Sequence, residues 1–201
     1  MTPEREAKIR RMLANRQLNL SVVLENVRDQ HNIFAVIRSC EAVGVGKVYV
    51  IHEMKSLEWK EGKRTSGKAL KWIDYELYPD VESCMAEVTE KHSEILATHM
   101  HTSATELHET DLTGSIALVF GNERFGISNS MMAYATGNVH IPMLGMTPSL
   151  NVSVACAVTL YEAMRQKRRA GHYNQPHLTE QQINAYLDSQ RMPNNPSPDD
   201  H

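Results

Sequence analysis

Short apolar segments typical of β-strands alternate with helix-like segments along most of this chain. Several strand-like segments are apolar at nearly every position, which indicates burial on both faces. The predicted strands are residues 20–27, 47–52, 94–98, 115–120 and 138–141, with another at the end of 69–77. The predicted helices are residues 3–16, 32–43, 80–91, 128–136 and 150–169. This alternation predicts an α/β fold with a mainly parallel sheet and helices on both faces.

The size and composition favour a single domain with small extensions. The chain has 201 residues, of which 41% are hydrophobic, enough for one core. Its charged N-terminus does not resemble a secretory signal, and no apolar run of about 18 residues predicts a membrane span. We therefore expect three segments: an N-terminal basic helix (1–18), the main domain (19–172) and a C-terminal extension (173–201). In the extension we predict a short helix over 177–190 and disorder over 191–201.

The cysteines and histidines do not predict a metal site. Cys40, Cys84 and Cys156 are far apart in apolar or helical patterns, which is typical of buried free thiols in a reducing cytoplasm. The pair His99 and His101 has no cysteine or carboxylate at ligand spacing. We therefore expect a cytoplasmic protein without a bound metal.

Basic residues form three islands on a chain whose net charge is −3. Solvated helix faces are the commoner reason for any one such island. Three of them on an acidic body indicate a surface that tracks a phosphate backbone. The first comprises Arg5, Lys8, Arg10, Arg11, Arg16 and Arg28; the second Lys60, Lys63, Arg64, Lys68 and Lys71; the third Arg165, Lys167, Arg168 and Arg169.

Residues 141–158, IPMLGMTPSLNVSVACAV, run from a strand through a proline-broken loop into a helix. Pro142 and Pro148 stiffen the backbone, and Gly145 permits a turn or a close approach. Ser149 and Asn151 stand where the helix begins, so unpaired backbone donors are available. Such a loop suits a purine-like ligand, although an ordinary strand–loop–helix connection has the same pattern.

Two further segments carry polar groups at points where ligands bind. Residues 121–128, GNERFGIS, follow a strand and open a helix. Gly121 permits a close backbone approach, and Glu123 lies at the carboxyl end of the strand, where open α/β sheets bind ligands. In residues 31–45, Asn32 begins a helix and Arg38 follows six residues later among apolar neighbours. Arg38 must therefore reach solvent or meet an anion.

Together, these three segments resemble the three motifs of the SPOUT superfamily of RNA methyltransferases. They are most similar to its branch of tRNA guanosine-18 2′-O-methyltransferases, over roughly residues 5–173. The matching residues are Asn32 and Arg38 in the first motif, Gly121, Glu123 and Gly126 in the second, and Ser149, Leu150 and Asn151 in the third.

The resemblance implies a trefoil knot over about residues 120–158, which is an exception to the rule against threaded chains. It also implies an obligate homodimer and a cofactor, S-adenosyl-L-methionine. The cofactor contacts would come mainly from backbone near Thr98, Gly121, Ile141 and Leu150. The RNA substrate, tRNA, would contact the N-terminal helix and a basic set on the last strong helix: Arg165, Lys167 and Arg168.

The resemblance also implies site roles. Arg38 would lie beside the ribose 2′-hydroxyl, and because arginine stays charged in proteins, we expect it to stabilise the developing alkoxide. Water or the phosphate would then take the proton. Asn32 would orient Arg38, while Ser149 and Asn151 anchor the substrate or the loop. Glu123 would hold the second-motif loop or pair with Arg38.

Three alternatives follow from the same residues. The first is 2′-O-methylation of another RNA site, either a ribosomal guanosine or the tRNA wobble nucleotide. The second is a non-catalytic RNA-binding protein on the same fold, against which the intact motif residues argue. The third is a nucleotide-dependent oxidoreductase, which fails because residues 44–46 (GVG) follow a helix and precede a strand, the reverse of a dinucleotide loop. Gly44 is instead predicted to cap a helix.

Overall fold

The described part of the computed structural model, residues 1–52, 69–98 and 104–191, forms one sheet flanked by helices. The strands are β1 Gln17–Glu25, β2 Val45–Ile51, β3 Asp74–Tyr78, β4 Glu94–Thr98, β5 Thr105–Glu106, β6 Ile116–Phe120 and β7 Gly137–His140. The helices are α1 Pro3–Ala14, α2 Gln30–Val43, α3 Val81–Lys91, α4 Asn129–Met132, α5 Val152–Arg169 and α6 Glu180–Arg191.

The seven described strands have the order β3-β2-β1-β6-β4-β7-β5, and every neighbouring pair is parallel. The predicted parallel sheet is therefore confirmed. From β1 the chain builds outwards through β2 and β3, and the later strands lie on the other side. The order changes direction between β1 and β6, and in such sheets ligands bind outside the carboxyl ends of the strands at this point.

Helices cover both faces of the sheet, as predicted. Side chains alternate along a strand, so Val22 and Leu24 of β1 face one core while Val23 faces the other. The first core contains buried side chains of α2 and α5, and the second contains those of α3 and α4. The prediction of buried free thiols is also confirmed, with Cys40 and Cys156 in the first core and Cys84 in the second.

The helix predicted over residues 128–136 is wrong in length. α4 is a single turn, although Ser128 does cap it by accepting a hydrogen bond from the backbone N of Met131 at 3.1 Å. The chain leaves the helix early because Thr136 bonds to β4. Its backbone N donates to Ile95 O at 2.8 Å, and its hydroxyl accepts from Ile95 N at 2.9 Å. Tertiary pairing thus overrides the local helical pattern.

The two ends of the chain pack against each other. Ile9 and Leu13 of α1 form a small apolar cluster with Ile183 and Leu187 of α6. Arg10 adds hydrogen bonds to Glu180 and Asn184 at 3.3 and 2.8 Å. The short C-terminal helix is confirmed as α6, and β1 begins at Gln17, inside the segment expected to precede the main domain.

Several predictions fall on residues outside the described ranges: the loop over 53–67, His99 and His101, and the disorder predicted for the last residues.

Two-residue β5 is an edge strand that the sequence pattern did not predict. Gly44 caps α2 in the left-handed conformation at φ 81°, as predicted. Of the helices described, none is long and apolar enough to cross a membrane.

Candidate active site

A chain of hydrogen bonds joins the three sequence motifs at the carboxyl ends of the strands. The Nδ2 of Asn32, at the start of α2, donates to Oε1 of Glu123 at 2.7 Å. The Nδ2 of Asn151 donates to Oδ1 of Asn32 at 3.1 Å. Asn151 is also the N-cap of α5, since its Oδ1 accepts from the backbone N of Ser153 at 2.8 Å. Residues that are 91 and 119 positions apart in sequence therefore meet in one polar cluster.

The loop after β6 closes tightly on itself. Asn122 and Gly126 exchange backbone hydrogen bonds of 3.0 and 2.8 Å. The Oδ1 of Asn122 accepts from the backbone N atoms of Arg124 and Phe125 at 2.9 and 3.1 Å. A Cβ added to Gly121 would lie 2.3 Å from Gly126 O. The close approach that Gly121 permits is therefore made by the loop's own backbone, which holds Glu123 at the tip.

Two residues that the sequence analysis did not select anchor this loop. The buried carboxylate of Glu25, the last residue of β1, accepts from the backbone N and hydroxyl of Ser128 at 2.9 and 2.5 Å. The backbone O of Asn26 accepts from Nδ2 of Asn122 at 2.7 Å. Asn26 has φ 52°, the left-handed region that non-glycine residues rarely adopt. A glutamate followed by asparagine at the end of an apolar strand was the available sequence signal.

Two adjoining clefts open between this loop and the loop that precedes α5. Their common walls include Thr98, Ser149, Leu150 and Ala155. One cleft extends to Ile141 and the other to Gly121 and Glu123. Their volumes, which include space open to the solvent, are about 480 and 720 Å³. The structure thus brings together all four predicted cofactor-binding residues: Thr98, Gly121, Ile141 and Leu150.

The walls of these clefts fit S-adenosylmethionine. Ile141, Leu150 and Ala155 supply apolar surface for a flat heterocycle, and the hydroxyl of Ser149 and the carboxylate of Glu123 lie on the walls as polar groups. The Thr98 hydroxyl is already used, because it donates to Val119 O at 2.8 Å. The expectation that the cofactor is held mainly through backbone groups stays a prediction.

Arg38 lies apart from the polar cluster, on the exposed side of α2. Six residues correspond to about 9 Å along a helix axis and roughly 120° around it, so Asn32 and Arg38 are not neighbours. Within the ranges that the structure describes, no hydrogen bond or ion pair engages Arg38. Asn32 and Glu123 bond to each other and not to Arg38. The expected roles of Asn32 in orienting Arg38, and of Glu123 in holding the second-motif loop or pairing with Arg38, therefore stay predictions.

The predicted RNA-contacting residues divide into exposed and engaged groups. Arg5, Lys8, Arg11 and Arg168 are exposed. Arg10 is partly exposed and Arg165 is exposed, and both pair with carboxylates: Arg10 with Glu6 at 3.1 Å and Arg165 with Glu162 at 2.6 Å. The Glu162 carboxyl has a pKa of about 2, mainly because Arg165 donates hydrogen bonds to it.

Arg16 and Lys167 are buried, so the prediction that they contact RNA is wrong. The guanidinium of Arg16 donates to Val45 O at 2.9 Å and Trp72 O at 2.6 Å. Lys167 is 0% exposed, and its Nζ donates to Thr113 O and Gly114 O at 3.0 and 2.7 Å. Burial lowers the pKa of Lys167 from 10.5 to about 8. Both charged groups donate hydrogen bonds to backbone carbonyls inside the protein.

Over the ranges described, no group of histidine, cysteine and carboxylate side chains is arranged to hold a metal ion.

Comparisons with known proteins agree with this fold. A family model described as the SpoU rRNA Methylase family matches residues 19–161. A Thermus thermophilus protein named tRNA (guanosine(18)-2′-O)-methyltransferase is 39% identical over 177 residues, covering 88% of this chain and 90% of that protein. The crystal structure of a TrmH/SpoU tRNA-modifying enzyme from A. aeolicus is 34% identical, with a TM-score of 0.85 over 92% of this chain and 94% of the other.

The SpoU methyltransferase AviRb from Streptomyces viridochromogenes, solved with AdoMet, is 27% identical with a TM-score of 0.67, covering 74% of this chain and 57% of that one. Because the family model matches well over half of the chain, the protein belongs to the SpoU rRNA Methylase family.

Proposed function

We propose that this protein transfers a methyl group from S-adenosylmethionine to the ribose 2′-hydroxyl of guanosine 18 in the D-loop of tRNA. The observation that carries the proposal is the hydrogen-bonded cluster of Asn32, Glu123 and Asn151 beside the two clefts. The name of the Thermus thermophilus relative supports the choice of substrate. A tRNA substrate also implies a location in the cytoplasm.

The clefts bounded by Thr98, Gly121, Ile141 and Leu150 would hold the cofactor. When bound, S-adenosylmethionine supplies a methyl group on a cationic sulfur, so a neutral thioether leaves and no acid is needed. The protein's task is then alignment and stabilisation of the nucleophile. Asn32 and Asn151 fix the loops on either side of the clefts, and Glu123 is held against Asn32. The trefoil knot that the family resemblance implies over residues 120–158 stays a prediction.

The exposed guanidinium of Arg38 is the group proposed to meet the RNA. Because it has no protein partner in the part of the chain that is described, it is available to a phosphate and to the 2′-oxygen. A charged guanidinium stabilises an oxyanion through paired N–H donors. The proton of the 2′-hydroxyl would pass to water or to the adjacent phosphate. Ser149, which lines both clefts, would anchor the ribose or the loop.

An exposed apolar stripe supports a homodimer. Val154, Val158 and Tyr161 are exposed at helical spacing on α5. Leu144 and Met146 are fully exposed in the loop before it. Contiguous apolar surface of this kind marks interaction sites. In sedimentation experiments we expect a dimer for the wild type and a monomer for Val158→Asp; a monomeric wild type would exclude the dimer.

The exposed basic residues are proposed to contact tRNA phosphates. Arg11 of α1 and Arg168 of α5 line a broad cleft between these helices and the end of α2. Each phosphate contact that is lost should make binding less steeply dependent on salt. These contacts set the position of the RNA and do not read its sequence.

The test is transfer of labelled methyl from S-adenosylmethionine to an unmodified tRNA transcript, with the modified position mapped. We expect one modified ribose, in the D-loop. Arg38→Ala should reduce turnover at least a hundredfold while cofactor affinity, measured by calorimetry, is unchanged. Near-native turnover of Arg38→Ala would refute its assignment.

A ribosomal guanosine is the second candidate, favoured by the description of the family model. The same assay with ribosomal RNA fragments in place of tRNA separates the two. Methylation of the fragments without methylation of tRNA would replace the proposed substrate. Cofactor binding without transfer to either RNA would leave the substrate among other RNAs, and no cofactor binding would favour a non-catalytic RNA-binding protein.

A further inference from the structure

A third cleft lies on the opposite side of the loop that carries Glu123. It shares Asn122 and Gly126 with the larger cofactor cleft, so the 121–126 loop forms the wall between them. Its empty volume is about 660 Å³. The remaining lining comes from the ends of β1 and β2 and from the loop: Glu25, Asn26, Arg28, His52, Phe125 and Ser128. We call it the Arg28 cleft. The mechanism above gives it no role.

An aromatic ring stands at the edge of the Arg28 cleft. Phe125 is 69% exposed, although a phenylalanine side chain is mostly buried in a stable fold. The guanidinium carbon of Arg124 lies over one face of the ring, 5.3 Å from its centre. The exposure of the side chain leaves the rest of the ring open to solvent. Exposed aromatic rings of this kind are the surfaces on which RNA-binding proteins stack unpaired bases.

The guanidinium of Arg28, a planar group with several hydrogen-bond donors, lines the same cleft. Arg28 is exposed, and within the described ranges no protein group bonds to its guanidinium. The planar guanidinium presents two parallel N–H groups, which match the O6 and N7 acceptors of guanine. Adenine has a donor at the position of O6, so the same fork would discriminate against it.

The floor of the Arg28 cleft is rigidly held. Glu25 and Ser128 bond to each other, and Asn122 bonds to Asn26 O at 2.7 Å. Asn26 adopts a left-handed conformation at φ 52°, a costly arrangement that persists where the surrounding structure requires it. It turns the chain sharply at the end of β1, two residues before Arg28. The ring and the guanidinium are therefore presented on an ordered base.

We propose that the Arg28 cleft receives the target guanine, stacked on Phe125 and read at O6 and N7 by Arg28. This inference rests on the proposed function. An enzyme that acts on a nucleotide inside folded RNA takes the base out of its stack and binds it in a pocket. With the base in the Arg28 cleft, the ribose lies over the 121–126 loop, on the side where Asn32, Glu123 and the cofactor clefts are.

The test combines a change in the protein with a change in the base. Wild type, Arg28→Ala, Arg28→Lys, Phe125→Ala and Phe125→Trp are each given two tRNA transcripts. One carries guanosine at the target position, and the other carries 7-deazaguanosine, which lacks only the N7 acceptor. Steady-state kcat and KM for methyl transfer are measured on both, and cofactor affinity is measured by calorimetry. Lys8→Ala, an exposed change outside the cleft, serves as the control for loss of a phosphate contact.

For the wild type we expect kcat/KM to fall about tenfold on 7-deazaguanosine. On guanosine, the kcat/KM of Arg28→Ala should be about ten- to a hundredfold below that of the wild type. Arg28→Ala should then have the same kcat/KM on 7-deazaguanosine as on guanosine, because the variant makes no contact with N7. Arg28→Lys, which keeps the charge without the fork, should resemble Arg28→Ala. Phe125→Ala should raise KM about tenfold on both transcripts, and Phe125→Trp should restore it. All variants should bind S-adenosylmethionine as the wild type does.

A penalty for 7-deazaguanosine that is equal in Arg28→Ala and in the wild type would overturn the inference, since Arg28 would then contact only phosphate, as Lys8 is expected to do. Full activity of Phe125→Ala would also overturn it. In both cases the wild type still methylates tRNA and the proposed function stands. A wild type that binds the cofactor and transfers no methyl to either transcript overturns the proposed function, and the inference with it.

Discussion

Replacement of Lys167 by methionine should change how the stability of the protein depends on pH. Lys167 lies on the long helix α5, is completely buried, and donates to Thr113 O and Gly114 O. Methionine fills nearly the same space without a charge or a donor. The variant therefore removes a buried ammonium group and leaves the two carbonyls without their hydrogen-bond donor.

The magnitude follows from the pKa of Lys167. Burial lowers it from 10.5 to about 8. This shift means that the charged form of Lys167 destabilises the folded state by about 3 kcal/mol relative to the neutral form. Below pH 8 both the folded and the unfolded chain carry the proton, and this cost is fully present. Between about pH 8 and 10.5 the folded state releases the proton first, so the folded state gains stability as pH rises. The methionine variant has no such gain.

The assay is urea unfolding of wild type and Lys167→Met at pH 7.5, 9 and 10.5. We expect the free energy of unfolding of the wild type, minus that of the variant, to rise by about 3 kcal/mol over this range. The subtraction removes the contribution of tyrosines such as Tyr173, whose pKa burial raises to about 12. Lys8→Met, which removes an exposed lysine, should give a constant difference. A constant difference for Lys167→Met would refute the reasoning.

Two further changes test the loop and the second core. Gly121→Ala should lower the free energy of unfolding by about 1–3 kcal/mol and weaken cofactor binding, because its Cβ would lie 2.3 Å from Gly126 O. Gly145→Ala is the control and should leave the stability unchanged, because nothing lies within 4 Å of its Cβ. Equal stabilities of the two variants would contradict the argument. Although burial alone would raise the pKa of Glu87, hydrogen bonds from Lys47, Lys91 and Tyr78 lower it to about 2. The stabilisation of about 2 kcal/mol, reduced for partial exposure, is present above pH 4.5 and lost as pH falls towards 2. As pH falls from about 4.5 to 2, the free energy of unfolding of the wild type should therefore decrease by about 2 kcal/mol more than that of Glu87→Gln; parallel acid profiles of the two would count against this assignment.

The order of strands and helices was predictable because each element has its own periodicity. The continuously apolar run that forms β6 and the capping by Gly44 are local properties of the sequence. α4 was not predictable at its true length, because Thr136 is drawn to β4 by partners that lie 41 residues earlier. A hydrogen bond between residues so far apart in sequence cannot be predicted from the local pattern of about ten residues.

The candidate site was predictable in its residues and not in its contacts. The motif pattern selected Asn32, Glu123 and Asn151, and the structure joins them. The sequence did not reveal that Asn32 turns to Glu123 and away from Arg38, since that depends on where the loop after β6 folds. It also gave no means of separating exposed Arg168 from buried Lys167, which are adjacent on the same helix.

The pairing of α1 with α6 has a consequence for synthesis of the chain. Ile9 and Leu13 leave the ribosome well before Ile183 and Leu187, their partners on α6. Arg10 and Glu180 are 170 residues apart, which is roughly 10–30 s of translation at typical rates. For that time the apolar face of α1 lacks its native cover and is open to chaperones or to other nascent chains. The packing of α1 is thus completed only after α6 has been synthesised.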